Sequence, residues 1–404
     1  MSFTYRMPSA LTPLSSVSPL ELVDELVARS STLRFEGGQD GNGVALIDVR
    51  SEGEFQDSGV PHFQNIPVLT NPERHEVGTA YKQRGREEAI ELGFRFFEPQ
   101  RAARIAAWSQ AILKSRIQEA WVTCWRGGLR SRLACGFMSE QGLKCRQVSG
   151  GTKAIRNRLL ETFLPERLPP LWVLSGWTGA GKTELLHEMG RFAVDFEGLA
   201  HHRGSSFGAY LGQVQPSQTT FENRLAIELL AASSPPKGAE DPLSKKLSIL
   251  VEDESARIGK VSLPRTLKAH MYQSRVLILE APLEERALRV FEGYIREPAE
   301  QGGTFEEIRS AMLASLLQIR DRLGGVRFDE ARKAIEAAFA QSIAQGIARF
   351  EEHQSWIELL LAHYYDRSYR NAFERQPRNI VFRGNRQECR EFLREQERKE
   401  RNSQ

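Results

Sequence analysis

Two hydrophobic patterns alternate along the chain. Short, continuous apolar runs end abruptly in charge or glycine, and between them apolar positions recur every three or four residues. The runs at 44–50, 120–123, 144–148, 171–174, 192–195, 247–251 and 275–279 read as buried strands. Helical spacing marks 19–26, 102–117, 131–141, a segment opening at 153, and 184–190. Strands alternating with helices predict α/β architecture with parallel sheets. From Phe305 onward helical spacing dominates, interrupted at Gly324-Gly325, with a strong helix over 356–365. A polar loop holding Gly59 and Pro61, a flexible loop over 30–43 and a surface hinge over 231–238 complete the pattern.

This order divides the chain into an α/β domain over 15–151, a linker over 152–170, a second α/β domain over 171–325 and a helical, basic region over 326–404. At 404 residues, each domain can bury its own core. No apolar run approaches the roughly 18 residues of a membrane helix, and residues 1–16 lack a signal-type apolar core, so a cytoplasmic protein without membrane association is expected. The four cysteines, Cys124, Cys135, Cys145 and Cys389, include no C-x-x-C pair, which argues against a zinc or dithiol site. The net charge of +3 says little about partners. Beyond residue 365, however, ten arginines and Lys399 face seven acidic residues. That tail could contact a phosphate backbone or be a solvated helix laced with ion pairs. Tyr364 and Tyr365, just ahead of it, could stack on a base or pack the last helix.

Cys124 opens the run Cys124-Trp125-Arg126-Gly127-Gly128-Leu129-Arg130-Ser131 at a strand end. Backbone N–H groups, a helix N-terminus and guanidinium groups around such a thiol favour thiolate. Arg126 and Arg130 supply charge, and Gly127 and Gly128 let the backbone curl inward. Cys124, Arg126 and Arg130 are therefore the expected catalytic group. The Cys124-x5-Arg130 spacing is also that of cysteine phosphatases, so phosphatase and sulfurtransferase both remain open. Cys135 and Cys145 read as packing residues. Asp48 and Arg50 end a neighbouring strand, where Arg50 could pair with Asp48 or Glu54 and brace the loop.

Gly176-Trp177-Thr178-Gly179-Ala180-Gly181-Lys182-Thr183 satisfies the P-loop pattern between a strand and a helix. The residues expected to cradle phosphate are Gly176, Thr178, Gly179, Ala180, Gly181, Lys182 and Thr183, with Arg203 from the segment 201–208 closing over the anion. Thr183 and Asp253, the latter in the run Glu252-Asp253-Glu254, are the expected metal ligands. Asp195 could position substrate or water.

Taken together, these motifs resemble the tRNA 2-selenouridine synthase family. The resemblance rests on Asp48-Val49-Arg50, the Cys124 loop, the P-loop and Val251-Glu252-Asp253-Glu254-Ser255-x-x-Ile258-Gly259. It also rests on Asn71-Pro72-Glu73-Arg74-His75-Glu76-Val77-Gly78-Thr79-x-Tyr81-Lys82 and His202-Arg203-Gly204-Ser205-x-Phe207-Gly208. It implies a rhodanese-like parallel-sheet domain followed by a P-loop NTPase-like α/β domain and a helical C-terminal region. It implies geranylation of wobble (position 34) 2-thiouridine from geranyl diphosphate, then replacement of the S-geranyl group by selenium from selenophosphate. The implied partners are lysine-, glutamate- and glutamine-type tRNAs, with the selenophosphate-producing enzyme as a further candidate. No tightly bound cofactor is implied, and Mg²⁺ is a candidate companion of the diphosphate. The competing readings are a rhodanese-type sulfurtransferase coupled to an ATPase and a nucleotide-switched tRNA-binding protein.

Overall fold

The computed structural model describes residues 15–36, 43–234, 247–375 and 378–402. They form two compact units, one comprising residues up to 167 together with 216–231, the other 168–215 and everything from 232 onward.

The strands of the first unit are β1 (Ser16–Val17), β2 (Ala45–Asp48), β3 (Gln64–Asn65), β4 (Glu119–Thr123) and β5 (Lys144–Val148), lying in the order β1-β5-β4-β2-β3 and all parallel. Every residue of β2 is buried, as expected of a parallel strand covered on both faces. Its helices are α1 (Pro19–Glu36), α2 (Glu52–Ser58), α3 (Asn71–Arg84), α4 (Arg86–Phe97), α5 (Arg101–Lys114), α6 (Leu129–Glu140) and α7 (Gly151–Leu160). Residues 30–36 of the expected loop thus continue α1, while 37–42 lie outside the described residues, as do 235–238 of the expected hinge. The polar segment after β2 contains α2. It starts there because the Glu54 carboxylate accepts from the Ser51 amide at 3.2 Å, as Glu73 does from Thr70 at 2.7 Å to start α3. Both are S/T-x-x-E pairings, in which the third helical residue reaches back to an orphan amide. The core packs Val122, Phe97 and Phe137 around the fully buried Trp108, whose indole Nε1 donates to the Ile66 carbonyl at 2.9 Å.

In the second unit the strands are β6 (Leu171–Gly176), β7 (Ala193–Val194), β8 (Ile249–Glu252), β9 (Arg257–Ile258), β10 (Val261–Ser262), β11 (Arg275–Leu279) and β12 (Asn379–Gly384). The order β12-β11-β6-β8-β7 is parallel throughout, and β9 and β10 form a separate antiparallel ribbon. Its helices begin with α8 (Lys182–Met189) and α9 (Phe196–Ala200). α10 (Gln218–Ser233) belongs almost wholly to the first unit, where Asn223 Nδ2 donates to the Gly59 carbonyl at 3.0 Å. There follow α11 (Arg265–Gln273), α12 (Leu283–Phe291), α13 (Glu297–Glu300), α14 (Phe305–Gln318), α15 (Arg320–Leu323), α16 (Gly325–Gln345), α17 (Phe350–Leu360), α18 (Asp366–Arg375) and α19 (Arg386–Asn402). Gly324 separates α15 from α16 at φ 88°. The architecture is the expected one: an α/β parallel-sheet unit, a second α/β unit and a helical C-terminal region. One strand in that last region, β12, had no counterpart in the hydrophobic pattern; it extends the P-loop sheet at its edge.

Candidate functional site

Register places Asp48 of β2 beside Thr123 of β4, so the carboxyl ends of both strands share one edge of the first sheet. Cys124 leaves β4 at that edge and is 3% exposed. Its Sγ accepts from the Gly128 amide at 3.2 Å and lies 3.1 Å from Ser131 Oγ. Gln147 of β5 braces this turn, donating from Nε2 to Ser131 Oγ at 2.7 Å and to the Gly127 carbonyl at 2.8 Å. Gly151, at φ 61°, is required here, because a Cβ would stand 2.1 Å from the Cys124 carbonyl oxygen and 2.4 Å from the Gly127 amide. That close approach lets the Thr152 amide donate to the Cys124 carbonyl at 2.9 Å.

Arg130, on the first turn of α6, makes a bidentate pair with Glu54 at 2.5 and 3.0 Å. Burial works to raise the Glu54 pKa, but the Arg130 hydrogen bond and charge outweigh it and hold the carboxyl at about 2. Burial likewise opposes the charge on Arg130, yet Glu54, Cys124 and Asp48 raise its pKa. Arg50 does not share Glu54. It is buried on Asp48 at 2.7 Å and donates to Ser58 Oγ at 2.6 Å. Arg126 is exposed on the same loop. Cys135 is fully buried, and Cys145 Sγ donates to its carbonyl at 3.2 Å, so both pack the core.

In the second unit the expected phosphate loop joins the central strand β6 to α8. Gly176 ends β6 and accepts from Lys182 Nζ at 3.1 Å. Gly179, at φ 79°, lies against α12, where a Cβ would meet the Arg286 carbonyl at 2.6 Å. The Thr178 carbonyl accepts from Arg286 Nε at 2.9 Å, and Arg286 is itself fixed by the buried Asp366 at 2.6 and 3.1 Å. Thr178, Gly179, Ala180, Gly181, Lys182 and Thr183 line a cavity of about 1010 Å³. Burial opposes the charge on Lys182, but Tyr369 and the carboxylates of Glu197, Glu254 and Glu252 raise its pKa.

Glu197 and Glu254 line this cavity, and the buried Glu252 stands with them. Ligand oxygens of Glu197, Glu252 and Glu254 all lie within 4.8 Å of one another. Glu252 is fully buried; its Oε1 accepts from the Phe196 amide at 2.7 Å, and its Oε2 has no hydrogen-bond partner. Burial and the neighbouring carboxylates raise all three pKa values, that of Glu197 to about 8. A hard oxygen donor set with an orphaned buried oxygen fits a divalent cation such as Mg²⁺. Asp253, the expected ligand, is engaged differently: Arg378 Nη1 donates to both its oxygens at 3.1 and 3.2 Å, and Lys268 Nζ lies 3.8 Å away. Asp195 caps α9 through the Gly198 amide at 2.6 Å and meets His187 Nε2 at 3.0 Å.

Arg203 borders the same cavity, held by Glu297 at 3.1 Å and stacked against Tyr210 and Tyr294 with its guanidinium 4.2 and 4.9 Å from their ring centres. Two π-helical turns, Glu292–Arg296 and Leu361–Tyr365, deliver Tyr294, Tyr364 and Tyr365 to the wall. Tyr294 Oη is 3.0 Å from Ser205 Oγ, and Tyr364 Oη is 2.9 Å from Ser206 Oγ. Tyr364 and Tyr365 were expected to stack on a base or pack the last helix, and their place on this wall, like that of Tyr294, Arg289 and Arg378, depends on remote helices and a sheet edge. In the basic tail, Arg386 pairs with Glu184 and Glu188, and Arg383 lies 3.9 Å from Glu280. Arg367 and Arg370 are exposed on α18. Among the described residues no helix is long and apolar enough to cross a membrane.

Residues 169–400 match the family model of the tRNA 2-selenouridine synthase AAA domain. A tRNA 2-selenouridine synthase of Shewanella frigidimarina is 36% identical over 360 residues, spanning 86% of this chain and 93% of that protein. Those of Marinobacter nauticus and Cupriavidus necator are each 38% identical, over 353 and 364 residues, covering 85% and 87% of this chain and 92% and 95% of theirs. With a family model spanning the second unit and relatives aligned across both, the chain belongs to the tRNA 2-selenouridine synthase family.

Proposed function

We propose that the chain converts wobble 2-thiouridine of lysine-, glutamate- and glutamine-type tRNAs into 2-selenouridine in the cytoplasm, in two steps served by its two loops. The observation that carries this reading is the pairing of a braced cysteine–arginine loop in one unit with a large P-loop cavity in the other. That cavity is lined by tyrosines together with Lys182, Arg203 and Arg289, which suits a diphosphate with an apolar tail.

In the first step the thiocarbonyl sulfur attacks C1 of geranyl diphosphate. The C1–O bond breaks, diphosphate leaves, and the N3 proton goes to water. Lys182 and the amides of 176–181 take up the negative charge that develops on the leaving group, and Arg203 and Arg289 add to it. Glu197, Glu252 and Glu254, and Thr183 from the phosphate loop, would hold Mg²⁺, which would supply further charge neutralisation at the diphosphate. Alkylation turns the sulfur on C2 into a good leaving group.

In the second step selenium from selenophosphate adds at C2, the C2–S bond breaks, and geranylthiol departs with a proton. Water cleaves the P–Se bond, leaving phosphate and the protonated N3 of 2-selenouridine. Cys124 handles the selenium, and Arg126 and Arg130 orient the phosphate part of the donor.

The test omits each donor in turn from a reaction on 2-thiouridine tRNA and follows the nucleoside by mass spectrometry. Without selenophosphate the S-geranyl nucleoside should accumulate, and without geranyl diphosphate the substrate should persist. Selenium or sulfur exchange that ignores geranyl diphosphate would favour the sulfurtransferase reading. Nucleotide-dependent tRNA affinity without covalent change would favour the switched binding protein.

A further inference from the structure

A second cavity lies wholly within the first unit, and neither loop chemistry uses it. Its volume is about 350 Å³, inside the range of about 300–1,000 Å³ typical of small-ligand pockets. One wall is α3, whose residues Arg74, Val77, Gly78 and Tyr81 line it at the i, i+3, i+4, i+7 spacing of a single helix face. These four belong to the 71–82 motif, for which the two-step chemistry has no role. The facing wall is α4, through Ile90, Gly93, Phe94 and Phe97. The floor is aromatic: Phe97 stacks on Trp108 and Phe137 with ring centres 6.2 and 5.0 Å apart.

Two glycines leave this space open, and the backbone does not demand them. Both are helical. A Cβ on Gly78 would meet only Arg74 Nη1, and one on Gly93 only Val77 Cγ2, each at 3.9 Å. Alanine would be the better helix former at either position. What a larger side chain would occupy is the pocket itself.

Position supplies the remaining clue. Leu129 and Arg130, the first residues of α6 after the Cys124 loop, form one end of the pocket. Arg130 therefore borders both the thiol and the apolar space. Arg74 reaches the same Glu54 carboxylate at 3.8 Å, giving the rim a second guanidinium, and Tyr81 is 59% exposed at the mouth. An apolar slot with a cationic rim beside a nucleophile fits a hydrocarbon chain carried by an anionic polymer.

We infer that the pocket between α3, α4 and the start of α6 holds the geranyl chain of S-geranyl-2-thiouridine RNA while the Cys124 loop acts on C2. This rests on the geranylated intermediate proposed above. The chain's departure as geranylthiol then empties the slot.

The test uses the full protein and two anticodon stem-loops, one carrying S-geranyl- and one S-methyl-2-thiouridine. The wild type should bind the geranyl RNA at least about tenfold more tightly, since burying two carbons is already worth about a factor of ten. The geranyl RNA should also protect 71–97 from hydrogen exchange more than the methyl RNA does. Gly78→Leu with Gly93→Leu should abolish that preference without lowering the melting temperature. Ile90→Ala, which enlarges the slot, should shift preference toward an S-farnesyl RNA, a change that simple destabilisation would not cause. A wild type that selenates geranyl RNA while the filled variant keeps its full preference would overturn the inference alone. A wild type that neither prefers nor converts geranyl RNA would overturn the two-step reading as well. Protection of 71–97 that follows protein concentration and ignores the RNA would assign the face to a second copy of the chain, and would equally overturn the inference.

Discussion

Replacing Glu54 by Gln removes the charge that fixes Arg130 beside Cys124 while keeping the side-chain shape. The Glu54 carboxyl falls from an ordinary 4.5 to about 2 in the folded chain. That gap corresponds to at most about 3 kcal/mol at neutral pH. Because the two side chains are 24% and 19% exposed, solvent screening trims it to about 1–2 kcal/mol. The sign follows from a depressed carboxylate pKa. The stabilisation is complete above the unfolded value near 4.5 and is lost as pH falls through the folded value near 2. The wild type should therefore exceed Glu54→Gln by about 1–2 kcal/mol at pH 7, and the difference should shrink steadily below pH 4.5. Urea titrations read by pulsed hydrogen exchange on peptides from 45–148 isolate the first unit. A released Arg130 should also raise the KM for selenophosphate in the second step. A stability difference below about 0.5 kcal/mol at pH 7, or one that persists unchanged to pH 3, would refute the reasoning.

Three further outcomes follow from the same geometry. Lys182→Ala should slow geranyl transfer by about 10²–10³, and pre-geranylated tRNA should restore much of the selenation; single-turnover assays with each substrate decide this. Gly151→Ala should destabilise the first unit by more than about 1 kcal/mol and abolish selenation, because its Cβ would collide with the Cys124 carbonyl at a positive φ; denaturation and product analysis check it. Charge reversal at Arg367 and Arg370 should lower the salt slope of tRNA binding by roughly 0.7–1 unit for each phosphate no longer neutralised, whereas Arg386→Glu should instead lower the melting temperature by breaking its pairs with Glu184 and Glu188.

What the chain disclosed in advance follows from how each element is buried. β2, β4, β6 and β11 are covered on both faces, so they read as continuous apolar runs bounded by turns. α3 buries only Ala80, and its functional face lines a cavity, so its hydrophobic pattern is too weak to announce a helix. β12 alternates half-buried and exposed residues at a sheet edge, with Arg383 inside it, and a single covered face leaves little apolar signal. The return of α10 to the first unit depends on contacts such as Asn223 with Gly59, which lie far apart in sequence. The site divides in the same way. Cys124, Arg130 and Lys182 sit in or just after two strand-to-helix turns whose local spacing makes them candidates. Glu54 as the partner of Arg130, Glu197 beside Glu252, and the tyrosines of the π-helical turns are brought in by tertiary packing.

The division of labour between the two loops is the central claim, and Cys124→Ala tests it most directly. The variant is incubated with 2-thiouridine tRNA, geranyl diphosphate and selenophosphate, and its nucleosides are resolved by mass spectrometry. S-geranyl-2-thiouridine should accumulate at the wild-type rate with no 2-selenouridine formed, because the P-loop centre is untouched and the selenium-handling thiol is gone. Undiminished 2-selenouridine, or the loss of both products from a protein that melts like the wild type, would contradict it.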